Sequence, residues 1–251
     1  MAGTSVAGTS ADTLLGGRVR LTQPDDGYRA AIDPVLLAAC IPARAGNRVL
    51  DVGAGVGAAA LCLTTRRPDI AVVGLELQAS LVALAAANIA DNAVGDRVTV
   101  LAGDLLAPPV GLEPGGFDHV MANPPFMKAG AHTPPPDAGR AVAHGEGAAD
   151  LADWLRFCAA MVRPRGTVSL IHRADRLDEV IAGMVACRLG GLVLFPLWPK
   201  AGVPARRILV AARRGIRSPA RLAPGLVLHE ADGRFTAAAD AILRHGAALD
   251  L

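Results

Sequence analysis

Arg48-Val49-Leu50-Asp51-Val52-Gly53-Ala54-Gly55-Val56-Gly57 decides the fold. Its first five residues read as a short buried strand. Three alternating glycines then form a loop, where the backbone must turn sharply and leave room for a close approach. Ala58 to Thr65 opens a helix. Working outward, Ile70 to Glu76 is a second strand that ends on an acid, and Ser80 to Asn92 is a helix. Arg97 to Ala102 is a third strand, ending at Gly103-Asp104. Phe117 to Ala122 is a fourth, running into Asn123-Pro124-Pro125-Phe126. Asp150 to Val162 is a helix, Gly166 to His172 a fifth strand, and Asp175 to Arg188 another helix. Gly191 to Leu197 and Arg207 to Ala212 are the last two strands. The linker from Trp198 to Arg206 is too short for a crossover helix, so these two should be antiparallel neighbours. The rhythm predicts an α/β domain with a doubly wound, seven-stranded, mostly parallel sheet whose last strand is antiparallel.

Two consecutive prolines cannot donate to a strand ladder, so the chain must leave the sheet at Asn123. The Asn side chain and the Pro124 carbonyl then lie on the C-terminal rim, where open α/β sheets bind ligands. Met127 to Gly147 has no periodicity and contains Pro134-Pro135-Pro136, which predicts an active-site lid. Upstream, residues 1–13 read as a disordered tail. Residues 14–46 read as a hairpin and helix over the site, with Asp26-Gly27 as the hairpin turn and Asp33-Pro34 as a helix N-cap. The main domain is expected over 47–214. A C-terminal extension over 215–251 holds a short apolar run after Pro224 and a helix near Thr236 to Arg244.

The 251 residues are 52% apolar but only 3% aromatic, which suits Ala-, Val- and Leu-rich helices on a parallel sheet. The four cysteines, Cys40, Cys62, Cys158 and Cys187, lie too far apart for a metal or redox pair and read as small core residues. No metal is expected. No uncharged run reaches membrane-spanning length and no secretory signal is evident, so a cytoplasmic location follows by default. Net charge is only +2, yet Arg163 to Arg221 carries 12 Lys/Arg against 3 Asp/Glu. That asymmetry hints at a polyanionic partner.

Glu76 lies 23 positions after Gly53, near the ~20-residue spacing at which an acid takes the ribose hydroxyls of a nucleotide. Gly53, Gly55 and Ala58 also satisfy the dinucleotide pattern, so a nicotinamide-dependent oxidoreductase is a rival. Asp51, two residues before the first glycine, is unwelcome beside a pyrophosphate. It suits the amino group and sulfonium of S-adenosylmethionine. Asp104 stands where it can accept from an adenine amino group.

Asp51 to Gly57, Glu76, Asp104 and Asn123-Pro124-Pro125-Phe126, in this order and spacing, resemble the S-adenosylmethionine-dependent methyltransferases that modify exocyclic or amide nitrogens. The resemblance covers residues 18 to 214. Leu21 to Arg29, followed by Asp33 to Leu37, looks more narrowly like the bacterial tRNA (adenine-N6)-methyltransferases acting on valine tRNA. Many members end the tetrapeptide in Tyr; here it is Phe126, which also occurs in guanine-N2 ribosomal RNA methyltransferases. The resemblance implies S-adenosylmethionine held by Asp51, Gly53, Ala54, Gly55, Gly57, Glu76, Leu77, Asp104, Leu105 and Asn123. It implies catalysis at Asn123, Pro124, Pro125 and Phe126, with an RNA base as acceptor, most readily adenine in tRNA. Guanine-N2 and protein glutamine-N5 transfer are alternatives, the latter disfavoured because only about 47 residues precede the first strand. A non-catalytic cofactor-binding protein would not need Asn123.

An exocyclic amine is a poor nucleophile because its lone pair is delocalised into the ring. The site must accept both N–H protons while Phe126 stacks on a base turned out of its helix. Candidate substrate residues are Tyr28, Asp33, Lys200, Arg206 and Arg207, together with the arginines at 213, 214, 217 and 221. Trp198 could stack on a base, and Arg140, His144 and Glu146 could touch substrate from the lid. His172 reads as structural. Nothing in the sequence indicates an oligomeric state.

Overall fold

The structure, a computed structural model, describes residues 8–26, 29–126 and 149–251. Gly27, Tyr28 and the whole segment assigned to a lid, with Arg140, His144 and Glu146, lie outside the described residues.

The chain opens with a hairpin of β1 (Thr9–Leu14) and β2 (Val19–Pro24), closed by a short turn over Leu15–Gly17. This corrects two expectations. Residues 9–13 are a strand and not tail, and the hairpin turn lies upstream of Asp26. Gly16 and Gly17 adopt positive φ and make the tight reversal. Helix α1 (Ile32–Ala39) follows. Its N-cap is Ala31, not Asp33, which falls inside the first turn.

The sheet contains β3 (Arg48–Val52), β4 (Ala71–Glu76), β5 (Val98–Ala102), β6 (Phe117–Ala122), β7 (Val162–Arg173), β8 (Leu189–Lys200) and β9 (Arg207–Arg214). Their order is β8-β9-β7-β6-β3-β4-β5, with β9 antiparallel to both neighbours and the other pairs parallel. The seven-stranded expectation holds for this core. Two short strands of the C-terminal extension, β10 (Arg221–Leu222) and β11 (Leu226–His229), add to it by pairing parallel with β8.

Helices cover both faces. On one lie α1, α2 (Ala58–Arg66), α3 (Ala79–Asp91) and the C-terminal α6 (Ala237–Leu243). On the other lie α4 (Leu151–Met161) and α5 (Leu177–Ala186). Because both faces are covered, the central strands are near-continuous apolar runs. Val49, Leu50, Val52, Val120, Met121 and Ala122 are all buried. Helix α4 starts with a capping box in which Asp150 accepts from the Asp153 amide and Asp153 accepts from the Asp150 amide.

The hairpin is held to α3 by side chains acting as a strand would. Asn88 accepts from the Thr22 amide at 2.8 Å and donates to the Thr22 carbonyl at 3.0 Å. One turn later, Asn92 accepts from the Arg20 amide at 2.9 Å and donates to its carbonyl at 2.7 Å. Asn88 also donates to the Val56 carbonyl, which ties the hairpin to the glycine loop. Replacing Asn88 with Ala strands these backbone groups at a cost of about 1–3 kcal/mol. The melting temperature of Asn88→Ala should fall by roughly 2–10 °C. An unchanged thermal midpoint would show that the hairpin is held by its apolar contacts alone.

Candidate active site

The strand order reverses at β3, which pairs with β4 on one edge and β6 on the other. The loops after β3 and β6 therefore separate above the sheet and leave a crevice between them, the usual ligand position in such folds. One wall is Gly53 to Gly57 and the other is Asn123 to Phe126.

Gly53, Gly55 and Gly57 all have positive φ. At Gly53 an added Cβ would lie 2.4 Å from the Trp154 ring, so the loop is pressed onto α4. At Gly55 an added Cβ would meet nothing within 4 Å, so this glycine faces open space. Beneath the loop, Ala54 sits so close to Gly74 that a Cβ there would lie 2.9 Å away. Neither Trp154 nor Gly74 was singled out from the sequence. Their role depends on contacts between distant segments.

Glu76 is only 6% exposed, and its carboxylate accepts from the Gly55 and Gln78 amides, both at 2.8 Å. Each oxygen keeps a further acceptor direction for a ribose hydroxyl. Asp104 accepts from the Leu106 amide at 2.9 Å, which shapes the turn after β5. Glu76 and Asp104 stand at the ends of neighbouring strands, with Gly103 donating to the Glu76 carbonyl. Leu77 and Leu106 expose 58% and 48% of their surface beside them, and Leu105 is half-buried. Two acids flanked by exposed leucines suit a nucleoside, with polar edges read by the acids and a flat ring lying on the leucines.

Asp51 is 2% exposed, and its Oδ2 has no hydrogen-bond partner among the described residues. Burial pushes its carboxyl up to about 7. The Ala60 backbone amide draws it down and the Glu76 carboxylate nearby pushes it further up. An unsatisfied buried carboxylate beside an open glycine loop fits a ligand that brings its own positive charge.

Asn123 is half-buried, with its Oδ1 out of contact with solvent. Pro124 is buried, while Pro125 and Phe126 are half-buried. The Arg207 guanidinium lies over the Phe126 ring, 4.4 Å from its centroid. The His172 ring meets Phe126 edge-on, with centroids 5.5 Å apart. Arg176 donates weakly to the Phe126 carbonyl at 3.4 Å and pairs with Glu179 at 2.9 Å. Arg207 in turn pairs with Asp33 at 3.1 Å. His172 is fully buried, and neither ring nitrogen has a hydrogen-bond partner among the described residues. Burial, with the Arg176 cation next, holds its imidazole down at about 4. It is therefore neutral at ordinary pH. The sequence marked His172 as structural and Arg176 not at all, since only the fold brings them to the tetrapeptide.

The remaining substrate candidates separate. Asp33 and Arg207 meet at Phe126. Arg206 is exposed on the same rim, and Tyr28 lies outside the described residues. Lys200 donates to the Ala231 carbonyl and Trp198 to the Pro224 carbonyl, so both are tied to the C-terminal extension. Because β9 runs antiparallel, Arg213 and Arg214 end at the opposite rim, roughly 20 Å from Arg207 at about 3.3 Å per residue. Arg214 there donates to the Ala160 and Val162 carbonyls at the end of α4. The basic stretch is thus not one surface. All four cysteines are free, and Cys40, Cys62 and Cys158 are buried. No described helix is long and apolar enough to cross a membrane.

A doubly wound sheet with an antiparallel β9, a glycine loop with acids at the ends of three successive strands and a rim tetrapeptide define a methyltransferase, and comparison with known proteins agrees. The sequence profile of the Methyltransferase small domain matches residues 30–139. The tRNA1(Val) (adenine(37)-N6)-methyltransferase of Aeromonas salmonicida strain A449 is 30% identical over 213 residues, covering 83% of this chain and 85% of its own. That of Aeromonas hydrophila is 29% identical over 209 residues, with the same coverage. The crystal structure of a predicted O-methyltransferase, protein Atu636 from Agrobacterium tumefaciens, is similar at 29% identity and a TM-score of 0.73, over 87% of this chain and 99% of that one. The chain belongs to the family of the tRNA1(Val) (adenine(37)-N6)-methyltransferases. Its cofactor is S-adenosylmethionine, which leaves the nicotinamide alternative without support.

The carboxyl of Asp51 sits near 7 against an ordinary value of 3.8, so the cofactor-free protein is most stable with it protonated and loses that stability as the pH rises from about 4 through 7. A cation bound beside Asp51 reverses the preference. Binding of S-adenosylmethionine should therefore release up to about one proton near pH 6, with less release above about pH 8, and should tighten as pH rises through about 7. Calorimetry in two buffers of different ionisation enthalpy reads this directly. Asp51→Asn should bind more weakly and release none, while buffer-independent heats in the wild type would separate Asp51 from the cofactor.

Proposed function

We propose that this chain is a cytoplasmic enzyme that methylates the exocyclic N6 of an adenine in tRNA, with adenine 37 of a valine tRNA as the first candidate. The observation that carries the reading is Asn123-Pro124-Pro125-Phe126 at the reversal point of the sheet, opposite the cofactor loop. The curated relatives' names supply the particular nucleotide.

The chemistry favours nitrogen over oxygen as acceptor. An exocyclic amine has two N–H protons, and Asn123 Oδ1 and the Pro124 carbonyl are two acceptors on adjacent residues. Accepting both would draw the amine out of the base plane and free its lone pair. Pro124 and Pro125 fix the backbone that carries this carbonyl, so little rearrangement is needed as charge develops. A hydroxyl acceptor has one proton and would call for a base. His172, neutral and buried, and Asp51, beneath the glycine loop, are poorly placed to serve as one. Bound S-adenosylmethionine supplies an activated methyl group, with Asp51, the glycine loop, Glu76 and Asp104 as its holders. Phe126 offers a ring to the turned-out base, and most of the rate gain comes from positioning.

Arg206, exposed at the same rim, suits tRNA phosphates, so affinity for tRNA should drop with salt. Methyl transfer to unmodified tRNA by Asn123→Ala should fall at least about 10²-fold, with S-adenosylhomocysteine affinity within about threefold of wild type. A parallel loss of cofactor affinity would assign Asn123 a structural role.

A further inference from the structure

Resting on the base-stacking role of Phe126, we infer that Arg207, anchored by Asp33, is a positioning residue that acts on the target base through the Phe126 ring. Four observations converge on it. The guanidinium of Arg207 lies over the ring at 4.4 Å, within the range where a cation is held by an aromatic face. Its Nε donates to Asp33 at 3.1 Å, across 174 positions of sequence. The pair is part-buried, with side-chain exposures of 34% for Arg207 and 15% for Asp33. The ring is also met edge-on by His172, and the Phe126 carbonyl accepts from Arg176.

These contacts give Arg207 a purpose that phosphate binding does not explain. An arginine kept for phosphate would hold its fork toward solvent. Here one edge of the fork is occupied by a carboxylate and the flat face is laid on the ring. The planar guanidinium suits this double duty, and an ammonium would supply the charge without the plane. Phe126 is the last described residue before position 149. Arg207 on β9 and His172 on β7 both contact its ring and hold it to the sheet. Through Asp33, the same clamp fixes the ring to α1. The N-terminal module would then help to set where the base lies relative to Asn123 Oδ1.

A group that positions the base, without touching it or the cofactor, should alter turnover more than binding. Arg207→Met removes both charge and plane and keeps the length. Its kcat on unmodified tRNA should fall about 10- to 100-fold, since small misplacements are costly in a reaction that depends on alignment. The KM for tRNA and the calorimetric Kd for S-adenosylhomocysteine should stay within about threefold. Arg207→Lys should recover part of the loss, and Asp33→Asn should lower kcat by a smaller factor in the same direction. A rise in KM alone would make Arg207 a phosphate contact and overturn the inference. Joint loss of cofactor affinity and melting temperature would make it structural and overturn it equally. Unchanged kinetics in Arg207→Met, with an active wild type, would remove this inference alone. A wild type that methylates no tRNA would remove the substrate reading and this inference with it.

Discussion

Strand β3 is hydrogen-bonded on both edges to parallel strands, and the chain approaches those two neighbours from opposite directions. Everything at the site depends on that constraint. A strand with a parallel partner on each side must have its C-terminal end at the same rim as theirs. The loops that follow then diverge, because one crossover covers one face and the other covers the opposite face. The crevice is what remains between them. The glycine loop and the tetrapeptide, far apart in sequence, become its two walls because β3 and β6 lie side by side in parallel.

Within the crevice, polar groups are either used twice or left waiting. Glu76 already accepts two backbone amides, and these set the geometry of its carboxylate. Asp51 is the opposite case. It is buried with an oxygen unsatisfied, and the fold tolerates this because protonation relieves most of the cost. The contrast separates a carboxylate that shapes the loop from one whose second oxygen the described residues leave unsatisfied. At the tetrapeptide, two prolines fix the backbone and a cation, an imidazole and a carboxylate fix the ring that follows.

The sheet and the positions of the acids at its rim were legible because they are written locally. Apolar runs such as Phe117 to Ala122 end on chemistry that cannot continue a strand, and Gly53 to Gly57 can only be a turn. The antiparallel β9 was legible from the brevity of the linker before it. What escaped was whatever depended on distant segments meeting. Asp33 looked like a helix cap and turned out to pair with Arg207. The hairpin turn was placed at Asp26 because Asp-Gly is the stronger local signal, while Leu15-Gly16-Gly17 makes the turn. The arginines from 206 to 221 read as one basic stretch, yet the direction of β9 sends them to opposite rims. His172 and Arg176 could be tied to Phe126 only once β6 and β7 were paired.

The two asparagines that bind the hairpin have a consequence for how the molecule keeps to itself. A two-stranded ribbon ordinarily presents an unpaired row of amides and carbonyls, to which any extended peptide could add as a further strand. At Arg20 and Thr22 that row is already answered by the carboxamides of Asn92 and Asn88, spaced one helical turn apart. A helix thus serves as a counterfeit strand. It closes this edge of the ribbon against self-association without lengthening the sheet by a residue.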